Sequence, residues 1–441
     1  MRYPRYPAYK DSGLAQLGKV PIDWSISPIK YAASFNDDVL AENTPDEYEI
    51  EYVEISGVND VQGIGTTEFY KFKDAPSRAR RRVRDGDVIV STVRTYLKAI
   101  ASIKDPPENL VVSTGFAVIR PKEMIGPNFA GYLFRANYLV DEIIARSTGV
   151  SYPAINASEL VKINIAIPPV SDQELITAFL DSETSKIDAL IAKQGRLITL
   201  LQEKRQALIS HVVTKGLNSD APMKESGDEL LGKVPIHWQV RRLKHVLREP
   251  LMYGASESGE AGMPEDPRFI RITDIVEAGS LREDTFRSLS PELAQPYLLS
   301  DGDVLFARSG ATVGKAFIYR SALGKACFAG YLIRARLDMA TMEPQWLRFC
   351  SQANFYWQYI AAAQIQATIQ NVSAEKYANL YLPCPPIQEQ FEIVRFLENK
   401  LSVIDGLISK ATQIILSLQE RRMSLISAAV TGRIDVRNLV N

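Results

Sequence analysis

The sequence predicts an α+β protein. Two globular α/β units are joined by two long helices that form an antiparallel coiled coil, with an internal pseudo-two-fold repeat. Three observations predict it. The 441-residue chain is one unit written twice. In each copy the hydrophobic period changes from two to helical after a proline pair, Pro168-Pro169 and Pro385-Pro386. The stretches beyond those prolines then hold a 3.5-residue apolar repeat over about forty residues, a coiled-coil signal.

The duplication comes first because everything else depends on it. YKDSGLAQLGKVPIDW (9–24) aligns with MKESGDELLGKVPIHW (223–238), with ten of sixteen positions identical. Downstream, DGDVIV (85–90) answers DGDVLF (301–306), PNFAGYLFRANYLVDEI (127–143) answers PQWLRFCSQANFYWQYI (344–360), and LQEKRQALIS (201–210) answers LQERRMSLIS (418–427). The offset moves only from 214 to 217. Each copy reads as a Gly-Lys-Val-Pro entry, short strands bounded by Asp-Gly turns, a helix near 128–145 or 345–362, and one more strand. The expected boundaries are 1–168 and 234–385 for the globular units and 169–215 and 386–432 for the helices. A linker at 216–233 and a tail at 433–441 complete the chain.

Ser171, with Glu174 three residues on, matches a capping box for the first long helix. Stepping 4 and 3 from Ile176 gives an apolar seam of Ile176, Leu180, Ile187, Leu190, Leu197, Leu201 and Leu208. The second helix gives Ile393, Leu397, Ile404, Leu407, Ile414, Leu418 and Leu425. A helix of about 40 residues is about 60 Å long. The short linker favours antiparallel pairing, because a parallel pair would stretch it across that whole length.

Composition narrows the function. Lys+Arg is 51 and Asp+Glu is 52, so nucleic-acid binding has to come from local basic patches. Three cysteines, Cys327, Cys350 and Cys384, form no CxxC pair, which points to a reducing cytoplasm. The N-terminus has no apolar signal region, and the longest uncharged run, 349–374, is too rich in amides for a membrane span.

Catalytic chemistry is not evident. His211, His237 and His245 have no metal-spaced partners. Gly310-Ala-Thr-Val-Gly314-Lys315-Ala316 is one residue short of a phosphate loop and lacks its hydroxyl, so it reads as a turn before a strand. Asp105-Pro106-Pro107-Glu108 lacks the aromatic of an amino-methyltransferase motif and reads as a surface turn. Glu398-Asn399-Lys400 lies on the coiled coil, and Gly-x-Ser-x-Gly is absent. No metal, cofactor or catalytic residue is expected, and the chain reads as a binder.

The binding candidates are basic and polar clusters. Arg78, Arg80, Arg81, Arg82 and Arg84 fall within seven residues, followed by Arg94 and Lys98. The second copy offers Arg268, Arg271, Arg308 and Lys315. Before each proline pair lies a polar stretch, with Ser151-Tyr152 in one copy and Gln370-Asn371 in the other. Arginines suit phosphates, and Tyr, Gln and Asn can stack on or read bases. The entry segments and helices stay similar while the interiors diverge, which fits one scaffold carrying two readers of different specificity.

The paired GKVPIDW and GKVPIHW segments, the PP-to-helix junctions and the duplication resemble the specificity (S) subunits of type I restriction–modification systems, over essentially the whole chain. The resemblance implies two target-recognition domains, each reading one half of a split, asymmetric double-stranded DNA site. It implies helices that fix the gap and dock two modification (methyltransferase) subunits, which restriction (translocase-nuclease) subunits join. Methyl transfer would belong to the modification subunit. The alternatives are a DNA methyltransferase with divergent motifs and a coiled-coil scaffold that does not touch DNA.

Overall fold

The computed structural model describes residues 3–59, 63–259, 263, 265–276, 280–365 and 371–439. The chain folds as two compact units, residues 1–195 with 412–441, and residues 196–411. Each unit therefore holds one globular body and a half of each long helix.

The first unit is built on two four-stranded sheets. In one, Val88–Ser91 lies between Ile100–Ser102 and Phe116–Pro121, with Ala33–Phe35 beyond, all antiparallel. In the other, Leu110–Ser113 runs parallel to Glu49–Val53 and antiparallel to Ala79–Arg82. Val88–Ser91 and Leu110–Ser113 are buried throughout, as expected of central strands covered on both faces. The second unit repeats the plan. Val304–Ala307 lies between Ala316–Ile318 and Leu332–Ala335, and Arg268–Ile270 runs parallel to Ala326–Phe328.

The Asp-Gly-Asp turns are keystones. Gly86 and Gly302 take the left-handed φ of +82° and +85°. The second aspartate is buried in both copies. Asp87 accepts from Arg120 at 2.9 and 2.8 Å, and Asp303 accepts from Arg336 at 2.9 and 2.8 Å. Each also takes one backbone N–H, from Arg84 or Ser300. Asp105, the start of the Asp-Pro-Pro stretch, is a turn residue whose N–H donates to Asp85.

The long helices span Val170–Lys215 and Ile387–Val430. The Ser171 box expected for the first is not its start, since that helix already begins at Val170. Pro169 O accepts from the N–H groups of Asp172 and Gln173, and the buried Gln173 side chain locks the start. Its Nε2 donates to Pro168 O and Met124 O at 2.9 Å, and its Oε1 accepts from Gly126 N at 2.8 Å. Gln390 repeats this clamp on Pro385 O, Thr341 O and Glu343 N.

The expected helices near 128–145 and 345–362 are each broken in two, Pro127–Leu133 with Asn137–Ala145 and Pro344–Cys350 with Asn354–Ile365. The break frees an amide N–H to reach a long helix. Asn137 N donates to Ser427 Oγ at 2.8 Å, and Asn354 N donates to Ser210 Oγ at 3.0 Å.

Within each unit the long helices pair antiparallel. The first unit holds the start of the first helix and the end of the second, with Asp188 on Arg422 at 3.0 Å. The second unit holds the reverse, with Arg205 on Asp405 at 3.2 Å. Ile176, Leu180, Ile187, Ile393, Leu397, Ile404 and Leu425 are buried as the seam predicts, and Leu201, Leu208 and Leu418 are partly buried. Leu190, Leu197, Leu407 and Ile414 depart from it, at 42–46% exposed. Near the globular bodies a helix is covered by both core and partner. Midway only the partner covers it, and one neighbour hides a narrower stripe. The wider covered face also takes in Phe179, Ile209, Val212, Leu401, Ile426 and Ala429, which a strict 3.5-residue step omits.

Each long helix stops at a left-handed glycine against an entry-segment tryptophan. Gly216 lies on Trp238, and Gly432 lies on Pro21 and Trp24, where an added Cβ would come within 2.3 Å of Pro21. The helix Ile387–Val430 is long and apolar enough to cross a membrane by length and composition alone. The three cysteines are buried, and burial raises the Cys327 and Cys384 thiols to about 12.

Candidate nucleic-acid interface

The arginine run of the first unit is dispersed by the strand it occupies. Side chains alternate faces along Ala79–Arg82 and rise about 3.3 Å per residue, so neighbouring arginines of the run face opposite ways. Arg80 is half-buried over the Phe72 ring at 4.7 Å. Arg81 points the other way and donates to Asn36 Oδ1 and Phe116 O, where burial lowers its pKa. Arg82 is half-buried beside the backbone of Asp38. Arg84 stands at the Asp-Gly-Asp end in an ion pair with Asp38 at 2.8 Å. The five do not form one patch, and Arg81 is a structural cation.

The opposite end of the sheets gathers a different set. Thr114 N donates to Arg78 O, Thr92 N to Gly115 O, and Ile155 N to Thr92 O, while Val93 bridges Ala154. This ladder brings Arg78, Arg94 and Tyr152 together from three loops. Arg94 and Lys98 take left-handed φ of 51° and 52° around a single turn, Thr95–Leu97. That conformation costs an L-residue roughly 1–2 kcal/mol. It projects Arg94 over the Tyr152 ring at 4.8 Å, and Tyr152 itself is 64% exposed. Tyr96 and Leu97 are exposed on the same turn. Lys98 turns away and lines a small pocket with Arg135 and Asn137.

The second unit builds the same corner from other residues. Val372 N donates to Arg308 O at 2.9 Å and Ser309 bridges Asn371, matching the Thr92–Ile155 and Val93–Ala154 links. Arg308 Nε donates to Asn371 Oδ1 at 3.2 Å, and the guanidinium lies over the Tyr253 ring at 4.6 Å. Tyr253 is anchored in turn, its hydroxyl accepting from Ala374 N at 2.9 Å. Lys315 is exposed on the adjoining turn, and the glycine stretch before it forms a short turn into Ala316–Ile318, as expected. Gln370 lies outside the described residues.

Two expected contacts are corrected. Arg268 is buried, paired with Glu283 at 3.1 Å and bonded to Arg282 O. Arg271 is clamped on Asp274 at 2.8 Å and on Thr285 O. Both staple the 268–285 segment to its strand, so their charge serves the fold. Sequence reading missed Tyr331, 67% exposed, whose carbonyl accepts from Arg308 N, and Tyr96. An aromatic residue beside a turn was the available signal for each.

Two mixed sheet-and-helix units, each carrying a polar, aromatic-lined corner at the same sheet end, define an internally duplicated binding protein. The model of the type I restriction modification DNA specificity domain matches residues 27–199 and 235–414, and the chain belongs to that family. It is similar to the type I restriction enzyme StySPI specificity subunit of Salmonella potsdam and to the EcoKI specificity subunit of Escherichia coli K12. Each is 21% identical over 95% of this chain and 91% of the relative. Its fold is similar to a solved chain from work on assembly and conformational transition of the type I R-M system. That likeness has a TM-score of 0.73 and 22% identity, over 93% of this chain and 98% of the other. The HsdS subunit of Thermoanaerobacter tengcongensis gives a TM-score of 0.50 and 21% identity, over 94% of this chain and 98% of the other. These relatives are named as specificity subunits, which leaves the divergent-methyltransferase reading without support.

Proposed function

We propose that this chain is the DNA-recognising subunit of a type I restriction–modification complex and is itself non-catalytic. Each unit reads one half of a bipartite, asymmetric double-stranded site in the cytoplasm. The observation that carries this reading is the repeated corner. Arg78, Arg94 and Tyr152 in the first unit, and Arg308, Lys315 and Asn371 in the second, occupy the same sheet end on a repeated scaffold. The long helices set the gap between half-sites. Their exposed apolar residues dock two modification subunits, through Leu190, Ile414 and Leu416 in the first unit and Leu197, Leu200, Val403 and Leu407 in the second. Restriction subunits join that core. Residues 1–168 and 234–385 are the recognition domains under this reading, with 169–215 and 386–432 as the shared helical regions.

The test is methylation mapping with the modification subunits on a DNA library. The expected product is one split site with two unlike halves and a fixed gap. A contiguous site, or salt-insensitive binding, would contradict the proposal.

A further inference from the structure

We propose that Arg94 is a specificity-determining residue that reads a guanine in the major groove. Arg308, at the matching corner of the other unit but aligned with Thr92, is instead a positioning residue that orients Asn371. The inference rests on the reading above, that each unit contacts one half-site.

Arg94 and Arg308 sit at matching corners and each lies over a tyrosine ring, yet their surroundings differ. The Arg94 guanidinium has no hydrogen-bond or ion-pair partner among the described residues. It is exposed, its backbone is held left-handed, and Tyr152 backs its face at 4.8 Å. A guanidinium fixed by its face offers its edge, which carries only donors. In the major groove guanine alone presents two adjacent acceptors, O6 and N7, to such an edge. Phosphates also accept from arginine, but a flexible side chain serves them as well, without a strained turn or a stacking ring.

Arg308 spends its donors inward. Nε reaches Asn371 Oδ1 at 3.2 Å and Nη1 reaches Gly330 O at 3.5 Å. The side chain is half-buried over Tyr253, which the 374–378 helix anchors. The bond to Oδ1 also decides which way the Asn371 amide points. Oδ1 is held by Arg308, so Nδ2 is the donor left for a base acceptor. Two arginine–tyrosine pairs built from non-equivalent positions therefore present arginine to DNA in one unit and asparagine in the other.

The experiment uses the full chain with its modification subunits on DNA in which both half-sites are randomised. The wild-type profile comes first, and a site that is not split overturns the half-site reading itself. Given a split site, Arg94→Ala should lose a guanine preference at one position of one half, by about 10- to 100-fold, leaving the other half unchanged. Tyr152→Phe, which keeps the ring, should retain that preference. Arg308→Ala and Asn371→Ala should each relax the same position of the other half, and the double variant no more than either. Unchanged melting temperatures confirm that these surface variants fold. Uniform weakening by Arg94→Ala on all sequences, with a salt slope shallower by about 1, would overturn the proposal in favour of a phosphate contact. So would a relaxed position that is not guanine, or an Arg308→Ala effect that Asn371→Ala does not share.

Discussion

The two units share a set of internal bonds and differ most where the chain meets solvent. Asp87–Arg120 and Asp303–Arg336 close the same turn, and Gln173 and Gln390 lock the same helix start. Asn137 and Asn354 grip the same serine position. Against that constancy, the corner beyond the central strand holds an outward Arg94 in one unit and an inward Arg308 in the other. A frame fixed by buried polar bonds tolerates exchange at its loops, because loop side chains carry little of the packing energy. That is the physical condition for one fold to carry two specificities.

The frames themselves differ in how well they are backed, which makes the comparison breakable. Arg336 is also held by Glu249 at 3.0 and 3.2 Å, whereas among the described residues Arg120 has only Asp37 at 3.8 Å in reserve. Asp87→Ala should therefore cost about 3 kcal/mol, since it strips a partly buried arginine and a backbone N–H together. Asp303→Ala should cost about 1 kcal/mol less. Urea unfolding of the full chain measures both, and equal losses would mean that Glu249 adds nothing.

A smaller effect lies at the helix ends. Trp238 Nε1 donates to Glu389 Oε1 at 3.0 Å, but the buried Trp24 Nε1 has no partner among the described residues. The residue matching Glu389 is Asp172, one methylene shorter, with its pKa raised by burial. Asp172→Glu should supply the missing bond and stabilise the first unit by about 1 kcal/mol. A lower melting temperature for that variant would show that the tighter corner, with Tyr6 edge-on to Trp24 and Arg437 over the Tyr6 ring, has no room for it.

The sequence made the duplication, the strand–helix order and both long helices legible, because apolar period and Gly/Pro punctuation act locally. The helix breaks were not legible. Phe134-Arg135-Ala136 and Ser351-Gln352-Ala353 contain no helix breaker, and the amides freed at the breaks bond to serines 290 and 144 residues away. The arginine run misled for a related reason: closeness in sequence along a strand is distance and alternation in space. Arg94, Tyr152, Arg308 and Asn371 were each visible as candidates. Their pairing across 58 and 63 residues was not, since only the ladder at the sheet end joins them. The mid-helix leucines kept their period but not their burial, because period does not report how many neighbours a face will have.

The central proposal is that the two units read unlike half-sites and that the long helices set the gap between those half-sites. The most direct measurement inserts four residues after Arg196 in the first long helix and after Gln413 in the second, then maps methylation by the assembled complex. Each insertion adds about one turn, about 6 Å, near two base pairs at about 3.4 Å each. The account predicts the same two half-sites with a gap about two base pairs wider. An unchanged gap, with both half-sites still recognised, would contradict it.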